Sequence, residues 1–455
     1  AAATSAIATS AGATSAIATS AVSAAPSVAT SAPASTVAST VAPAASAAKA
    51  AGALEIMTWV YDDWAPTFFE TYGATHPGTT VNVTMSDDNK FLVTVSAGTP
   101  PDLFYTGRSA LADWGIQGVA LRLDDRIAKS KVISKDNFIT HALEEGGWQG
   151  KVYGLYWSAD ARMFYWNKDL FQAAGFDPEQ PPQTWNDFTT AMQKLTKTGS
   201  DGAIQQLGIN PTYDSVSTHY WEAWFWELGG SYLSADGTKV TIANDMGANA
   251  LDWMVKQAQV QGGWSNITTY WSAAGKDAGK NTSNFGWGLG LQKVAMFIEV
   301  GNAITNLQKL WPSVHYGLGG IPPASTGKRA SVRGGYYWVI PSKAAHQDTA
   351  WDYMEWSFTL DQTLAYNNHY NRIPTTNDAV NSAKWLPDNP TARKVSSEVV
   401  AYSQRIPCIS PGYADILKVN GGIPGPVLEG KQTPQVALES AQTQIQGILD
   451  KALKG

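Results

Sequence analysis

Between Leu54 and Ser86 the chain reads as strand, helix, strand, and that close spacing restricts the folds open to it. LEIMTWV, from Leu54, is a short apolar run rich in strand formers. YDDWAPTFFETYGATHP follows, with Pro66 near a helix start, Phe68, Phe69 and Tyr72 at helical spacing, and Gly73 to Pro77 as a stop. TTVNVTMS then alternates apolar and polar residues, as a half-buried strand does. A tight βαβ unit needs parallel strands with a helix packed on the sheet, so a largely parallel α/β sheet is expected. PPDLFYTG supplies a third strand after the turn signal GTPPD, and a helix follows around Leu111 to Gly118. Ligands of open α/β sheets bind at the carboxyl ends of the strands. Tyr61 to Trp64, Ser86 to Asn89 and Thr106 to Ser109 are therefore candidate ligand loops.

Further along, Trp185 to Leu195 reads as a helix capped by Thr184 or Asn186, and Asp245 to Gln261 as another. HYWEAWFWEL, from His219, has aromatic residues at helical spacing and reads mostly as core. Tyr336 to Ile340 is a strand, Asp348 to Leu360 a helix, and Thr433 to Leu453 a closing amphipathic helix. Residues 1–51 are almost entirely Ala, Ser, Thr, Val and Pro, with ATSAIATSA occurring twice. Such a segment cannot bury enough apolar surface to offset its ordering entropy, so a disordered tether is expected, suited to holding a domain off a surface. It lacks the basic start and apolar run of a signal peptide, and no stretch elsewhere reaches the roughly 18 apolar residues of a membrane helix. With the tether set aside, the length of the remainder suggests two domains.

The formal charge of −6 and the absence of a Lys/Arg cluster argue against nucleic-acid binding, which needs a basic surface. A single cysteine, Cys408, excludes an intrachain disulfide framework and a multi-thiolate metal site. The six histidines are scattered, with no HExxH. GWGLG at Gly286 is not a dinucleotide fingerprint, and neither a Walker loop nor a GxSxG elbow is present. The acid pairs Asp62/Asp63, Asp87/Asp88, Asp124/Asp125 and Glu144/Glu145 read first as solvated caps and turns, although a glycosidase also needs two carboxylates. No cofactor or metal is called for. Aromatic usage is the positive signal, with 19 Trp and 18 Tyr beside 13 Phe. These rings combine a flat apolar face with a polar edge, as a sugar-binding wall requires. Trp59, Tyr61 and Trp64 crowd Asp62 and Asp63 at the end of the first strand.

The order of AGTPPDLFYTG, GKVYGLYWSADARMFYWNKDLFQAAGFDPEQPPQTWNDF, QKVAMFIEVGNAITNL, GGYYWVIPSKAAHQDTAWDYMEWSF, RIPTT and VLEGKQTPQVALESAQTQI resembles the extracellular solute-binding proteins of ATP-driven importers, in the sugar and oligosaccharide branch. The likeness covers essentially all of residues 52–455. It implies a periplasmic-binding-protein-like fold (type II): two α/β lobes with the ligand between them, lobe one at 52–157 plus 324–371 and lobe two at 158–323 plus 372–455. The first crossing falls at Ser158 to Met163, and Asp160 is where such proteins place an acid for sugar hydroxyls. Tyr61, Asp63, Trp64, Asn89, Thr106 and Gly107 match the cleft loops of lobe one, with Gly335 from the GGYYW strand. Glu299 and Asn302 follow the AMF strand of lobe two, where relatives often carry an aromatic ring. Stacking then falls to Trp157, Trp224, Trp287, Tyr336 or Tyr337; Arg372 is a further contact, and Arg162 or Arg372 is a candidate partner for the cleft acids.

The sequence therefore reads as a monomeric receptor that captures a neutral sugar or oligosaccharide and delivers it to the permease of an ABC importer. The tether resembles the linker after the acylated cysteine of family lipoproteins, which implies a lipid-anchored protein at the extracellular or periplasmic face of the membrane. Trp157 and Asp160 are its leading stacking and hydrogen-bonding pair. Two other classes stay open. A glycoside hydrolase would use the acid pairs, and a surface or adhesion protein would use the stalk and the sequons at Asn82, Asn266 and Asn281. Within the receptor class, a peptide or polyamine would meet Asp62, Asp63, Asp160 and Glu299.

Overall fold

Two sheets organise the computed structural model, which describes residues 52–60, 62–107, 111–212, 221–405 and 411–454. The opening unit forms as its pattern requires. Strand β1 (Gly52–Thr58) pairs in parallel with β2 (Thr79–Met85) and β3 (Leu103–Thr106), placing Ile56 beside Val83 and Leu103. Helix α1 (Trp64–Thr75) crosses between them and buries Phe68, Phe69 and Tyr72. The carboxylate of Asp62 starts this helix by accepting from the backbone nitrogens of Trp64 and Ala65 at 3.2 and 2.9 Å. Helix α2 (Asp88–Ser96) and the short α3 (Leu111–Ile116) follow.

Strand β4 (Leu155–Ala161) also belongs to this larger sheet. After Arg162 the chain leaves it and enters β5 (Met163–Asn167), the central strand of a three-stranded antiparallel sheet with β6 (Met296–Glu299) and β7 (Tyr316–Gly319). Every residue of β5 is buried, as expected of a strand covered on both faces. Around this smaller sheet pack α4 (Trp185–Leu195), α5 (Trp221–Glu227), α6 (Asp245–Gln259) and α7 (Asn302–Leu310). Thr184 caps α4: its hydroxyl donates to the Asp187 carboxylate and accepts from the Asp187 backbone nitrogen.

The chain then returns to the larger sheet as β8 (Ser331–Val339), antiparallel to both β3 and β4. Helices α8 (Gln347–Ser357) and α9 (Leu360–His369) lead to β9 (Ile373–Pro374), which pairs with β4. Helix α10 (Pro390–Tyr402) runs into β10 (Ser403–Gln404), beside β8, and α11 (Pro434–Lys454) closes the chain. The larger sheet is thus mixed and not largely parallel: only its first three strands are joined by local crossovers, whereas β8 comes back from the smaller sheet in the opposite direction. A bulge between Tyr336 and Tyr337 interrupts the pairing of β8 with β4. Gly335, at φ 147°, precedes it, and a Cβ there would run into the Ser158 carbonyl and the Tyr156 ring.

Candidate functional site

Where the two sheets approach each other, a cavity of about 60 Å³ is lined by Trp59, Gly107, Asp160, Arg162, Phe285, Val300, Asn302, Gly335, Tyr336 and Arg372. The fold gathers these from distant stretches. Trp59 and Gly107 follow the carboxyl ends of β1 and β3, where an open α/β sheet presents ligands. Asp160 stands on β4 and Gly335 and Tyr336 on β8, while Arg372 immediately precedes β9. From the side of the smaller sheet come Val300, just after β6, and Asn302, the first residue of α7. Close approach depends on Gly301, because a Cβ at that position would collide with the carbonyl of Asn371.

Charge is concentrated in this small space. Arg162, 1% exposed, donates to Asp160 Oδ1 at 2.9 Å, so the cleft carboxylate has an internal partner. Arg372 donates from Nε to Asn302 Oδ1 at 2.9 Å, which ties the approach to β9 to the start of α7. Its guanidinium lies 4.1 Å from the ring centre of Tyr336 and 4.7 Å from that of Tyr370, within cation–π range. Nearby, the Thr106 hydroxyl donates to Asp88 at 2.8 Å, and burial pushes the Asp88 carboxyl up to about 6, partly countered by that bond.

Of the residues expected at the site, Gly107, Asp160, Asn302, Gly335, Tyr336 and Arg372 meet around the cavity. Trp157 does not. It is fully buried in the core of the larger sheet, its indole N–H donating to the Ser357 carbonyl at 2.9 Å and its ring 4.4 Å from that of Tyr366. Position along β4 explains the split: Trp157 is the residue left unpaired where the register with β8 slips, and its ring packs on Tyr105 and Trp338, whereas Asp160 lies three residues further on, paired with Gly334 at the cavity. Trp224 packs against Trp185, and Trp287 against Trp271 in a separate small cluster, so both are core. Tyr337 is buried with its hydroxyl on Glu145 at 3.0 Å, on the opposite face of β8 from Tyr336 as neighbouring strand residues are. Thr106 is buried behind Gly107 and serves Asp88. Glu299 is fully buried and accepts from the Val300 backbone nitrogen at 2.9 Å. Asp63 and Asn89 are exposed at helix starts, and Trp64 stacks on His369 at 3.8 Å. Tyr61 lies outside the described residues.

The profile of the bacterial extracellular solute-binding proteins matches residues 67–394, a span that takes in all of the smaller sheet and the larger one apart from β1 and β10. The chain belongs to that family. Among relatives of this solute-binding protein, a Brucella abortus (strain 2308) binding protein is 25% identical over 416 residues, covering 89% of this chain and 95% of its own. The maltodextrin-binding protein MdxE of Bacillus subtilis (strain 168) is 23% identical over 371 residues, covering 79% and 80%. Among solved structures, CpMnBP1 with mannotriose bound superposes with a TM-score of 0.74 at 26% identity, covering 86% of this chain and 99% of that one. T. maritima MalE3 with maltose bound shares the fold at a TM-score of 0.70 and 17% identity, covering 87% and 100%.

Three wall residues of this solute-binding protein were not singled out from sequence as ligand contacts: Arg162, Phe285 and Val300. Arg162 was legible only as a partner for the cleft acids, the role it has with Asp160. Phe285 follows a run of polar residues and carries no local signal; only the fold brings it opposite Trp59. A wider groove of about 830 Å³ lies elsewhere, along Ile139 to His141 and Val400 to Arg405. Its one carboxylate, Glu145, is held by Arg333 and Arg405.

Proposed function

We propose that this chain is the substrate-binding receptor of an ABC importer, capturing a sugar or oligosaccharide between two lobes and delivering it to a membrane permease. One observation carries the reading: a cavity at the meeting of two sheets, walled from both, with a carboxylate, an amide, two guanidiniums and aromatic rings. Sugars need that mixture of apolar faces and fixed donors and acceptors. Solute-binding relatives named for maltodextrin and solved with mannotriose support it.

The lobes are taken to be built on the larger and the smaller sheet, close to 52–157 plus 324–371 and 158–323 plus 372–455, with Ser158 to Ala161, Ile373–Pro374 and Ser403–Gln404 assigned to the first because β4, β9 and β10 pair within the larger sheet. A cavity of 60 Å³ equals about two water molecules at roughly 30 Å³ each, too little for a pyranose ring. A sugar therefore enters by separation of the lobes, and ligand contacts on both sides then favour closure by no more than the difference in affinity between the two states. The receptor works as a monomer and transforms nothing. Residues 1–51 tether it, through a lipid anchor, at the outer face of the membrane.

Calorimetry and thermal shift against mono-, di- and oligosaccharides test this, because a ligand that binds only the folded state raises its stability. Saturable binding with the sugar recovered intact is expected. Release of hydrolysed product would replace the receptor with a glycoside hydrolase.

A further inference from the structure

Two residues beside the cavity are of a type that their own backbone does not call for. Helix α9 ends in a turn through Tyr370 to Arg372, where the Arg372 backbone nitrogen donates to the Asn367 carbonyl at 2.8 Å and that of Asn371 to the Asn368 carbonyl at 3.3 Å. Such a turn holds one residue in the left-handed region, here Asn371 at φ 51°, and glycine fits that place best. Gly301 is the converse case. Its φ of −57° and ψ of −27° are helical and open to any residue. The reason for both lies across the cleft. The Asn371 side chain, 8% exposed, donates from Nδ2 to the Thr305 hydroxyl on α7 at 2.9 Å, and that hydroxyl donates in turn to the His369 carbonyl at 3.3 Å. The Asn371 carbonyl lies over Gly301, where a Cβ would collide with it. The turn leads into β9 of the larger sheet, whereas α7 follows β6 of the smaller one, and neither Thr305 nor Asn371 lines the cavity. These contacts join the two lobes directly and need no sugar between them.

We infer that the turn at 369–371 and the start of α7 form a latch that holds the lobes closed in part of the ligand-free population, with Thr305 and Asn371 as its positioning residues and Gly301 as its seat. The inference rests on the two-lobe reading. It adds a contribution to closure that owes nothing to the ligand, so sugar binding selects a form already present. The net effect of one intramolecular hydrogen bond corresponds to about 3–10-fold in an equilibrium, and each bond of the latch shifts the ratio of closed to open protein by that factor.

The test is pulsed electron spin resonance on the full chain without any ligand, between nitroxide labels at V93C on α2 and V436C on α11, two exposed positions, one per lobe, in a C408S background. We expect a closed and an open distance in the parent, and expect N371G and T305A each to lower the closed-to-open ratio by about 3–10-fold. N371G carries most weight, because it eases the backbone at the turn while deleting the amide. G301A, whose added methyl meets the Asn371 carbonyl only when the lobes are closed, should leave the open distance alone. A ratio unchanged in both N371G and T305A overturns the inference and leaves the receptor reading intact. So does a parent found at the open distance only. The closed distance in both the parent and G301A, or a G301A protein that does not fold, means that the lobes do not separate at this contact, and overturns the two-lobe reading and the latch together. If T305A does not fold, N371G decides.

Discussion

Replacing Glu227 with glutamine isolates the electrostatic cost of one buried acid. Glu227 ends α5, is fully buried, and accepts from the Trp185 indole at 2.9 Å and the Ala324 backbone nitrogen at 3.1 Å. Burial drives its carboxyl from an ordinary 4.5 up to about 9, against the lowering effect of those two bonds and of Arg329. The folded state therefore holds a proton that the unfolded chain releases above pH 4.5, so stability is full below that pH and falls as pH rises towards about 9. Each pH unit in that window removes about 1.4 kcal/mol, or roughly 3 kcal/mol accumulated by pH 7.

Glutamine keeps an oxygen for Trp185 and Ala324 and cannot ionise. Its amide introduces donors where the second carboxyl oxygen has no acceptor among the described residues, a penalty of about 1 kcal/mol that does not vary with pH. The prediction thus concerns slope and not offset. Urea unfolding of the two proteins from pH 5 to pH 8 should show E227Q gaining on the parent by about 4 kcal/mol across the range, other titrations being common to both. Parallel profiles would refute the assignment of a protonated Glu227.

Three further substitutions are informative. W157A should lower unfolding free energy by about 3–5 kcal/mol through the cavity it leaves among Tyr105, Trp338 and Tyr366, read by denaturant melts, while D160N should weaken ligand binding measured by calorimetry and also lower stability, because it removes the carboxylate that pairs with buried Arg162. G335A should cost at least about 1–3 kcal/mol from the backbone conformation alone, and more from contact with the Ser158 carbonyl, lowering the thermal midpoint; an unchanged midpoint would show that the bulge can relax.

Sequence alone determined what depends on near neighbours. The βαβ opening, the Thr184 cap, the end of α1 at Thr75 before Pro77 and the long closing helix all follow from periodicity and from residues within a few positions of one another. Two of the loops that the carboxyl-end rule singles out adjoin the cavity, through Trp59 just before one and Gly107 within another. Tertiary structure decided which side chains those elements turn towards ligand. Trp157 and Asp160 look equivalent in WSAD, yet Trp157 sits at the register slip and packs into the core, while Asp160, three residues further along β4, reaches the cleft. Tyr336 and Tyr337 are neighbours on opposite faces of β8, and only the packing of the sheet shows which of the two faces meets the cavity. Arg162 meets Asp160 within two residues, whereas Arg372 meets Asn302 across 70 residues of chain, a pairing no local pattern encodes. Burial and charge pairing are properties of the packed whole, so the partners of the cleft's charged side chains emerge only once both sheets are in place.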